Sequence, residues 1–291
     1  MPDQQELAER FEPHRQRLQA VAYRMLGDTA AAEDAVQESW LRLARSDVRD
    51  IENLAGWLTT VVSRICLDTL RARSARRERA FDAQDAAAHP DANARDPEKE
   101  SLLADSVGVA MLVVLDRLAP AERVSFVLHD VFAVPFNDIA PIVERSPVAT
   151  KKLASRARGR VRGVDRPADE VLVQQRHVVE AFLVAARDGD LAALLEVLAP
   201  DVVRRADPAT LPSGAAAVVR GARDVAESTV LYGRTARYAV LALIDGRVGA
   251  IVVRRGRIVA ALRVMVDGDR VSEYEVVADA NGLERLDLAV L

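Results

Sequence analysis

A change of residue pattern near position 164 is the feature that most limits how this chain can fold. Up to Gly163, apolar residues recur at the three- and four-residue spacing of amphipathic α-helices. After the polar segment VDRPADE at 164–170, one further helix is predicted over QRHVVEAFLVAARDGDLAALLEVLA, and β-rich runs follow it. Asp245-Gly246, Arg255-Gly256 and Asp267-Gly268 separate these runs and are hairpin signals. Helices followed by a meandering sheet predict all-α units and then an α+β domain.

The helical part divides at a segment that has almost no large apolar residue. Residues 80–100, AFDAQDAAAHPDANARDPEKE, are rich in Ala, Asp and Pro, a composition typical of a linker. Three helices are predicted before it, one of which ends at Gly27, and helical patterning returns from Ser101. The predicted organisation is a helical domain at 5–79, a linker at 80–100, a second helical domain at 101–163, a linker at 164–173 and an α+β domain at 174–291.

Composition excludes several classes of protein. The chain has one cysteine, Cys66, which excludes an internal disulfide and a zinc site built from cysteines. Cys66 lies in the apolar run VVSRICL, where a small core residue is more usual than a reactive thiol. No stretch is long and apolar enough to cross a bilayer, and the first residues lack the pattern of an export signal. We therefore expect a cytoplasmic protein with no membrane contact, no metal and no cofactor.

The distribution of charge says more about binding partners than the net charge of −4. Two basic runs, RICLDTLRARSARRER at 64–79 and KKLASRARGRVR at 151–162, each end a predicted helical unit. A single run of this kind is usually a solvated helix face. Two runs, each attached to its own motif, favour binding to nucleic acid.

The second basic run follows a short helix and a tight turn. PFNDIAPIV, the turn ERS and PVATKKLASRARGRVRG together have the layout of a helix-turn-helix with a basic second helix. Ser146 is a favourable N-cap for that helix, and Pro147 suits its first turn, where no backbone N–H is needed.

Four segments resemble a known family in the order in which that family carries them. EDAVQESWLRL at 33–43 and NLAGWLTTVVSRICLDTLRARSARRE at 53–78 closely resemble region 2 of extracytoplasmic-function (ECF) RNA polymerase sigma factors. Residues 118–162 closely resemble region 4, and the tail from about Arg176 is similar to a SnoaL-type domain, the cone-shaped fold of small polyketide cyclases. The implied architecture is multidomain: a region 2 helical bundle and a region 4 helix-turn-helix, both all-α sigma domains, followed by a C-terminal α+β cone-shaped SnoaL-like domain.

The resemblance implies a transcription initiation factor whose partners are core RNA polymerase and promoter DNA. In the family, one helix of region 2 docks on a helical clamp of core polymerase, and the matching residues are Asp34, Gln37, Glu38 and Leu41. The loop before the third helix, and that helix itself, open the promoter at the −10 element. The matching residues are Ser46, Asp47, Arg49, Asp50 and Asn53 in the loop, and Arg64 and Arg71 on the helix.

These residue types suit the implied chemistry. Polar loop side chains can bond the exposed edge of an unstacked base, and arginines can hold phosphates. Two further residues of the third helix have structural interpretations instead. Asp68 is expected to pair with Arg64 or Arg71 at helical spacing, and Trp57 is expected to pack in the core.

In the family, the second helix of the helix-turn-helix reads the −35 element in the major groove. The matching residues are Val148, Ala149, Thr150, Lys151, Lys152, Ser155, Arg156 and Arg160. Thr and Ala can contact a thymine methyl group, and Lys and Arg can reach guanine or phosphate. Arg158, Arg160 and Arg162 are expected to add attraction to phosphates rather than sequence readout.

The tail departs from its relatives, which indicates a divergent subgroup. A Pro-Trp-Leu-Pro-Glu-Pro motif between regions 2 and 4 and an Asp-Gly-Gly-Gly motif in the tail are both missing. Three interpretations stay open: a regulator acting in cis, a binding domain for a small apolar ligand, and an enzyme. The titratable candidates for catalysis are His177, Asp207, Asp245 and Glu273. His177 is expected on a helix surface and Asp245 in a turn, so we favour the regulator over catalysis.

Two alternatives for the whole chain come from other classes of protein. One is a cyclase- or isomerase-type enzyme fused to a helical DNA-binding module. An enzyme of this type has no need of two helical units that each carry a basic run. The other is an ordinary repressor that uses only its helix-turn-helix, and it leaves the EDAVQESWLRL helix without a role.

Overall fold

The computed structural model describes residues 4–46, 51–82, 106–163, 168–208, 211, 215–232, 238–254 and 257–291. Contacts group the chain into two compact units: Met1–Asn93 with Leu115–Arg158, and Ala94–Val114 with Gly159–Leu291. The first unit therefore takes in helices from both predicted all-α domains, and the second takes in the predicted α+β domain. Residues 83–100 of the first predicted linker and residues 164–167 of the second lie outside the described residues.

The helices before position 164 follow the predicted pattern. They are α1 (Gln4–Leu26), α2 (Thr29–Ala44), α3 (Leu54–Asp82), α4 (Ser106–Asp116), α5 (Pro120–Phe126), a π-helical continuation of α5 (Val127–Val131), α6 (Phe136–Val143) and α7 (Pro147–Arg162). Gly27 ends α1 with a φ of +69°, as predicted, and the Asp28 carboxylate caps α2 by accepting from Ala31 N at 2.7 Å. Helix α3 continues past its predicted end into the segment predicted to be a linker.

A shared apolar core holds the first unit together. Helices α1, α2 and α3 pack on one another, and α3 also packs on α5 and α6. Phe11 and Trp40 meet edge to face, with their ring centroids 5.2 Å apart. The largest fully buried side chains of these helices include Leu18, Met25, Leu43, Leu58 and Leu67. Since α3 contacts helices from both predicted domains, it is the central element of the unit.

A buried arginine lies beside the cysteine in this core. Arg123 on α5 is 2% exposed, and its Nη1 donates to Asp116 Oδ1 at 3.1 Å. Cys66 on α3 is fully buried, which confirms the prediction that it is a core residue. Burial raises the pKa of Cys66 to about 12, although the positive charges of Arg123 and Arg73 oppose the rise. The thiol is therefore protonated at physiological pH.

From Asp169 onward, the second unit forms an α+β domain. Its helices are α8 (Asp169–Asp188), α9 (Leu191–Val197), α10 (Ala222–Tyr232) and α11 (Ala280–Arg285). Its strands are β1 (Leu198–Ala206), β2 (Val218–Arg220), β3 (Ala239–Ile244), β4 (Arg247–Arg254), β5 (Arg257–Asp267), β6 (Arg270–Val277) and β7 (Leu288–Ala289). Within the described residues, the strands form one sheet in the order β2-β1-β6-β5-β4-β3-β7. β1 and β6 run parallel, and the other neighbours are antiparallel.

The single helix predicted over 175–199 is wrong. Gly189 ends α8 in the left-handed region with a φ of +68°, and the Asp190 carboxylate caps α9 by accepting from Ala193 N at 3.0 Å. The break lets two helices pack on the sheet at different places. Phe182 on α8 and Leu194 on α9 both enter the apolar core over the sheet.

Two of the three hairpin signals are confirmed. Asp245 and Gly246, with φ of 51° and 76°, form the turn between β3 and β4, and Gly268 lies in the turn between β5 and β6. Arg255-Gly256 falls outside the described residues, although the flanking β4 and β5 pair antiparallel as expected. Among the helices that the structure describes, none has the length and apolar character of a bilayer-spanning segment.

Candidate polymerase and promoter interfaces

The predicted polymerase-binding residues share one surface of α2. Asp34, Gln37 and Leu41 are exposed and Glu38 is half-buried, with Leu41 retaining 39% of its accessible surface. Glu38 Oε1 accepts from Arg42 Nε at 3.0 Å, one turn further along the helix. The opposite surface of α2 is buried and includes Ala32, Ala35, Val36, Ser39 and Leu43. The exposed surface therefore offers an apolar centre with a polar surround.

The predicted −10 loop is described only at its two ends. Asp47, Arg49 and Asp50 lie outside the described residues. Ser46 Oγ donates to the Arg42 carbonyl at 2.9 Å, and Asn53 Oδ1 accepts from Gly56 N at 3.0 Å. Both side chains therefore bond backbone groups at the ends of helices flanking the loop. The capping bond uses only the oxygen of the Asn53 amide, so its nitrogen can still donate elsewhere.

The two predicted −10 arginines point at the helix-turn-helix within the first unit. Arg64 Nη2 donates to the Pro141 carbonyl at 3.3 Å, and Arg71 Nη2 lies 3.4 Å from Glu144 Oε2. Arg71 Nη1 also lies 3.7 Å from Asp68 Oδ1, which confirms the pairing predicted for Asp68. The side chains of Arg71 and Glu144 are 45% and 70% exposed. Solvent therefore screens this pair strongly.

The turn of the helix-turn-helix depends on a residue in an unusual conformation. Glu144 follows α6 with a φ of 57° and a ψ of 45°, in the left-handed region that glycine usually occupies. Its backbone N–H donates to the Ala140 carbonyl, which closes the end of α6. Ser146 Oγ then accepts from Ala149 N at 3.3 Å, and Pro147 opens α7. The predicted cap at Ser146-Pro147 is confirmed.

Helix α7 presents a basic stripe, which we define as Val148, Lys151, Lys152, Ser155, Arg156 and Arg160. All six side chains are exposed, and Val148 retains 68% of its accessible surface. Their spacing places them on one side of the helix. Ala149 lies at the edge of the stripe and is half-buried. An exposed side chain such as Val148 at the first turn of a basic helix suits a helix whose N-terminal end contacts base edges.

Two residues that the sequence predicts to contact −35 DNA are buried or ion-paired instead. Thr150 is fully buried, and its hydroxyl donates to the Ser146 carbonyl at 3.0 Å, so it cannot reach a base. Arg158 lies 2.7 Å from Asp130, and this carboxylate neutralises the charge expected to attract phosphate. Both positions face the rest of the unit because packing, rather than residue type, decides which side of α7 is outward.

The titratable candidates of the second unit have structural partners or lie on the surface. His177 is exposed on α8, and Asp245 in its hairpin turn bonds Arg263 and accepts from Asp287 N at 2.9 Å. Glu273 pairs with Arg205 at 2.8 Å, and Asp207 Oδ2 accepts from Asp279 N. Across the part of the chain that the structure describes, no group of His, Cys, Asp and Glu has the arrangement of a metal site.

Sequence reasoning missed two features that the structure brings out. Glu144 contacts Arg71, a predicted −10 residue, across 73 residues of chain, and no local pattern signals such a pair. Arg204 is 4% exposed inside the second unit, next to the exposed Arg205. A signal for Arg204 was present, because strand alternation places it on the same side of β1 as Val202 and Ala206.

Comparisons with known proteins identify the family of the chain. A family model for Sigma-70 region 2 matches residues 10–76. The probable ECF RNA polymerase sigma factor SigI of Mycobacterium tuberculosis (strain H37Rv) is 36% identical over 279 residues, which cover 94% of this chain and 93% of SigI. The chain belongs to the ECF sigma factor family.

A second relative and a solved structure extend the comparison. The ECF RNA polymerase sigma factor SigJ of Mycobacterium tuberculosis is 38% identical over 256 residues, which cover 82% of this chain and 79% of SigJ. The crystal structure of SigJ covers 95% of this chain and 98% of its own, at 33% identity and a TM-score of 0.44. Since the alignment with SigI spans nearly the whole chain, membership of the ECF family includes the C-terminal unit as well as region 2.

Proposed function

We propose that this ECF sigma factor binds core RNA polymerase, directs it to promoters through their −10 and −35 elements, and is regulated in cis by its C-terminal α+β domain. It acts in the cytoplasm and has no catalytic activity of its own. The observation that carries the proposal is the presence of two chemically different exposed surfaces on one helical unit. One is the surface of α2 around Leu41, and the other is the basic stripe of α7.

The α2 surface suits a protein partner. A specific protein interface combines an apolar contact that excludes water with polar groups at its rim. Leu41 supplies the apolar contact, while Asp34, Gln37 and Glu38 supply the rim. Carboxylates at the rim speed association with a basic partner and reject acidic ones. This surface therefore favours a helical clamp that offers an apolar groove flanked by positive charge.

The basic stripe suits the major groove of DNA. Val148 in the first turn can contact a thymine methyl group, and Arg156 can form paired hydrogen bonds with guanine. Lys151, Lys152 and Arg160 add attraction to phosphates, which strengthens binding without selecting sequence. A regulator that binds only small molecules or proteins has no use for an exposed stripe of this charge.

The contact of Arg64 and Arg71 with the helix-turn-helix is weak enough to be exchanged for DNA. Exposed ion pairs such as Arg71–Glu144 typically contribute about 0–1 kcal/mol. A phosphate in promoter DNA offers the same arginine a stronger, charge-assisted hydrogen bond. Region 4 therefore holds these side chains in the free protein, and promoter DNA takes them over in the initiation complex.

The C-terminal domain is better suited to regulation than to catalysis. The carboxylates proposed as catalytic candidates accept backbone hydrogen bonds or pair with arginines, and His177 lies on the surface. A catalytic site of the cyclase type needs titratable groups inside an apolar cavity. Deleting residues 170–291 should therefore change transcription from a cognate promoter while the helical unit stays folded, as judged by its helical circular dichroism. Unchanged transcription across a series of truncations would contradict regulation in cis.

Reconstituted transcription with core polymerase tests the two surfaces separately. Arg156→Ala should lower binding of the holoenzyme to a promoter with its −35 element by about 5- to 150-fold, the range for loss of one base contact, and leave core binding unchanged. Arg223→Ala is a charge-matched control, because Arg223 is 80% exposed in the other unit. Equal loss of promoter and core binding in Arg156→Ala would refute the assignment of α7.

A substitution on α2 should have the opposite effect. Leu41→Glu should weaken association with core polymerase at least about tenfold, because a charge replaces the apolar centre of the contact. Val173→Glu is the matched control, since Val173 is an exposed apolar residue on a helix of the second unit. Core binding by Leu41→Glu at the level of the parent protein, measured by pull-down and by size-exclusion chromatography, would rule out the α2 surface.

A further inference from the structure

An arginine lies among the core residues of the C-terminal domain. Val202, Arg204 and Ala206 are buried on the inner side of β1, and Arg204 is 4% exposed. Its neighbour Arg205 points to the outer side, where it pairs with Glu273 at 2.8 Å. Removing a guanidinium from water carries a penalty of several kcal/mol unless a counter-charge and hydrogen bonds compensate it. The partners of Arg204 are therefore informative.

The hydrogen bonds of Arg204 leave its charge uncompensated. Its Nη2 donates to the carbonyl of Ala216, and its buried Nε has no hydrogen-bond partner. Among the residues that the structure describes, no carboxylate lies within ion-pair distance of this guanidinium. Buried polar groups are satisfied in the great majority of cases, so a buried donor and an unpaired charge on one side chain are unusual.

The neighbouring polar groups do not supply the missing acceptor. Tyr274 on β6 is the Cα partner of Arg204, and its hydroxyl lies 2.6 Å from Thr229 Oγ1. Thr229 Oγ1 also lies 2.7 Å from the Val225 carbonyl, which can only accept. Thr229 therefore donates to Val225, and Tyr274 donates to Thr229. Burial raises the pKa of Tyr274, although the nearby positive charge of Arg204 opposes the rise, so the phenol stays protonated.

The surroundings define the kind of molecule that fits this arginine. Phe182 packs on Tyr274 with a centroid distance of 5.1 Å, and Val202, Val225 and Ala226 are fully buried nearby in the same core. A ligand beside Arg204 must therefore be largely apolar. Ala216, whose carbonyl holds the guanidinium, is exposed next to edge strand β2, so the tip of Arg204 lies close to the domain surface.

We propose that the C-terminal domain binds a small apolar carboxylic acid whose carboxylate pairs with Arg204. Two carboxylate oxygens can accept from Nε and a terminal nitrogen of the same guanidinium, which satisfies the orphan donor and the charge together. A phosphate dianion suits the place less well, because it carries a second negative charge into an apolar core that offers one cation. Control of transcription by this ligand rests on the proposed function, whereas the binding itself does not.

Calorimetric titration of the full chain with sodium benzoate, and thermal unfolding in its presence, test the proposal. Benzoate should bind saturably and raise the unfolding temperature of the C-terminal domain, while uncharged benzyl alcohol should not. Arg204→Met should lower benzoate affinity about 10- to 100-fold, the equivalent of one charged hydrogen bond. Arg205→Met is the matched control and should bind benzoate like the parent chain, because Arg205 lies on the outer side of the strand.

Each outcome bears on the proposal. Should Arg204→Met fail to fold, Arg204→Lys provides the same test, because lysine keeps the charge but loses the paired geometry. Equal binding of benzoate by the Arg204 variants, or equal binding of benzoate and benzyl alcohol, would overturn it. Binding of inorganic phosphate in preference to benzoate would also overturn it by changing the ligand class. The assays contain neither polymerase nor promoter, so a negative result leaves the proposed function intact.

Discussion

The thiol of Cys66 offers a direct measure of how well the helical unit is closed. Cys66 is the only cysteine in the sequence, so every thiol signal from the protein comes from the centre of α3. The side chain is fully buried, and burial raises its pKa from 9.0 to about 12. The thiolate is the species that attacks disulfide reagents, so both burial and pKa slow the reaction.

The size of the effect follows from these two values. At about pH 8, a thiol with a pKa of about 12 is thiolate in roughly one molecule in ten thousand, whereas the unfolded chain, at 9.0, is thiolate in about one in ten. The pKa alone therefore slows the reaction about a thousandfold, and full burial adds the requirement that the unit opens first. We expect native protein to react at least about a thousand times more slowly than unfolded protein.

The assay is the time course of reaction with excess DTNB at about pH 8, with and without concentrated guanidinium chloride. The unfolded sample fixes the end point at one thiol per chain. The rate in the native sample should rise as sub-denaturing guanidinium is added, because opening limits it. If the native protein reacted at a rate within tenfold of the unfolded rate, the buried position of Cys66 and the packing of α3 on α5 would be refuted.

Four further predictions concern stability. In the parent protein, the free energy of unfolding should fall between about pH 9 and 12, because the unfolded thiol ionises near 9.0 while the folded thiol keeps its proton until about 12. Cys66→Ala should abolish this fall, which denaturation at a series of pH values measures. Gly159→Ala should stabilise the protein by about 0.5–1 kcal/mol, since the added Cβ meets nothing within 4 Å in a helix interior. Gly249→Ala should destabilise the C-terminal domain by about 1–3 kcal/mol, because its Cβ would collide with the Leu262 carbonyl oxygen. Urea unfolding of both glycine variants shows whether one raises and the other lowers the free energy of unfolding. Asp116→Asn should lower the free energy of unfolding by about 2–4 kcal/mol, and Arg123→Met should lower it by less, because only the first substitution leaves a buried cation without the Asp116 carboxylate. The opposite order of stabilities in thermal denaturation would contradict a stabilising ion pair between Arg123 and Asp116.

Local signals in the sequence predicted the ends of elements well. Gly27, Ser146-Pro147 and Asp245-Gly246 act through their own backbone conformations, so their effect needs no knowledge of the rest of the fold. The same kind of signal was present at Gly189-Asp190, yet the apolar pattern runs through it and favoured a single helix. The structure shows that the cap residues, not the apolar pattern, set the boundary there.

Side-chain environments that depend on distant contacts did not follow from residue type. The exposed members of the α7 stripe follow from helical periodicity, but the burial of Thr150 depends on which side of α7 faces the unit. The pairing of Arg71 with Glu144 and the burial of Arg204 join residues far apart in sequence. Residue type gave no warning in either case, because arginine is usually exposed.

The parallel pairing of β1 with β6 has a consequence for the newly made chain. These strands are neighbours in the sheet, yet Arg204 and its partner Tyr274 are 70 positions apart, and β7 at Leu288–Ala289 completes the far edge. Ribosomes deliver the helical unit first, and its mainly local contacts form quickly, whereas the sheet must wait for β6 and β7 to emerge. Each molecule therefore passes through a period in which its promoter-reading part is already folded and its proposed restraint is not, and slow translation of the segment that ends in β7 would lengthen that period.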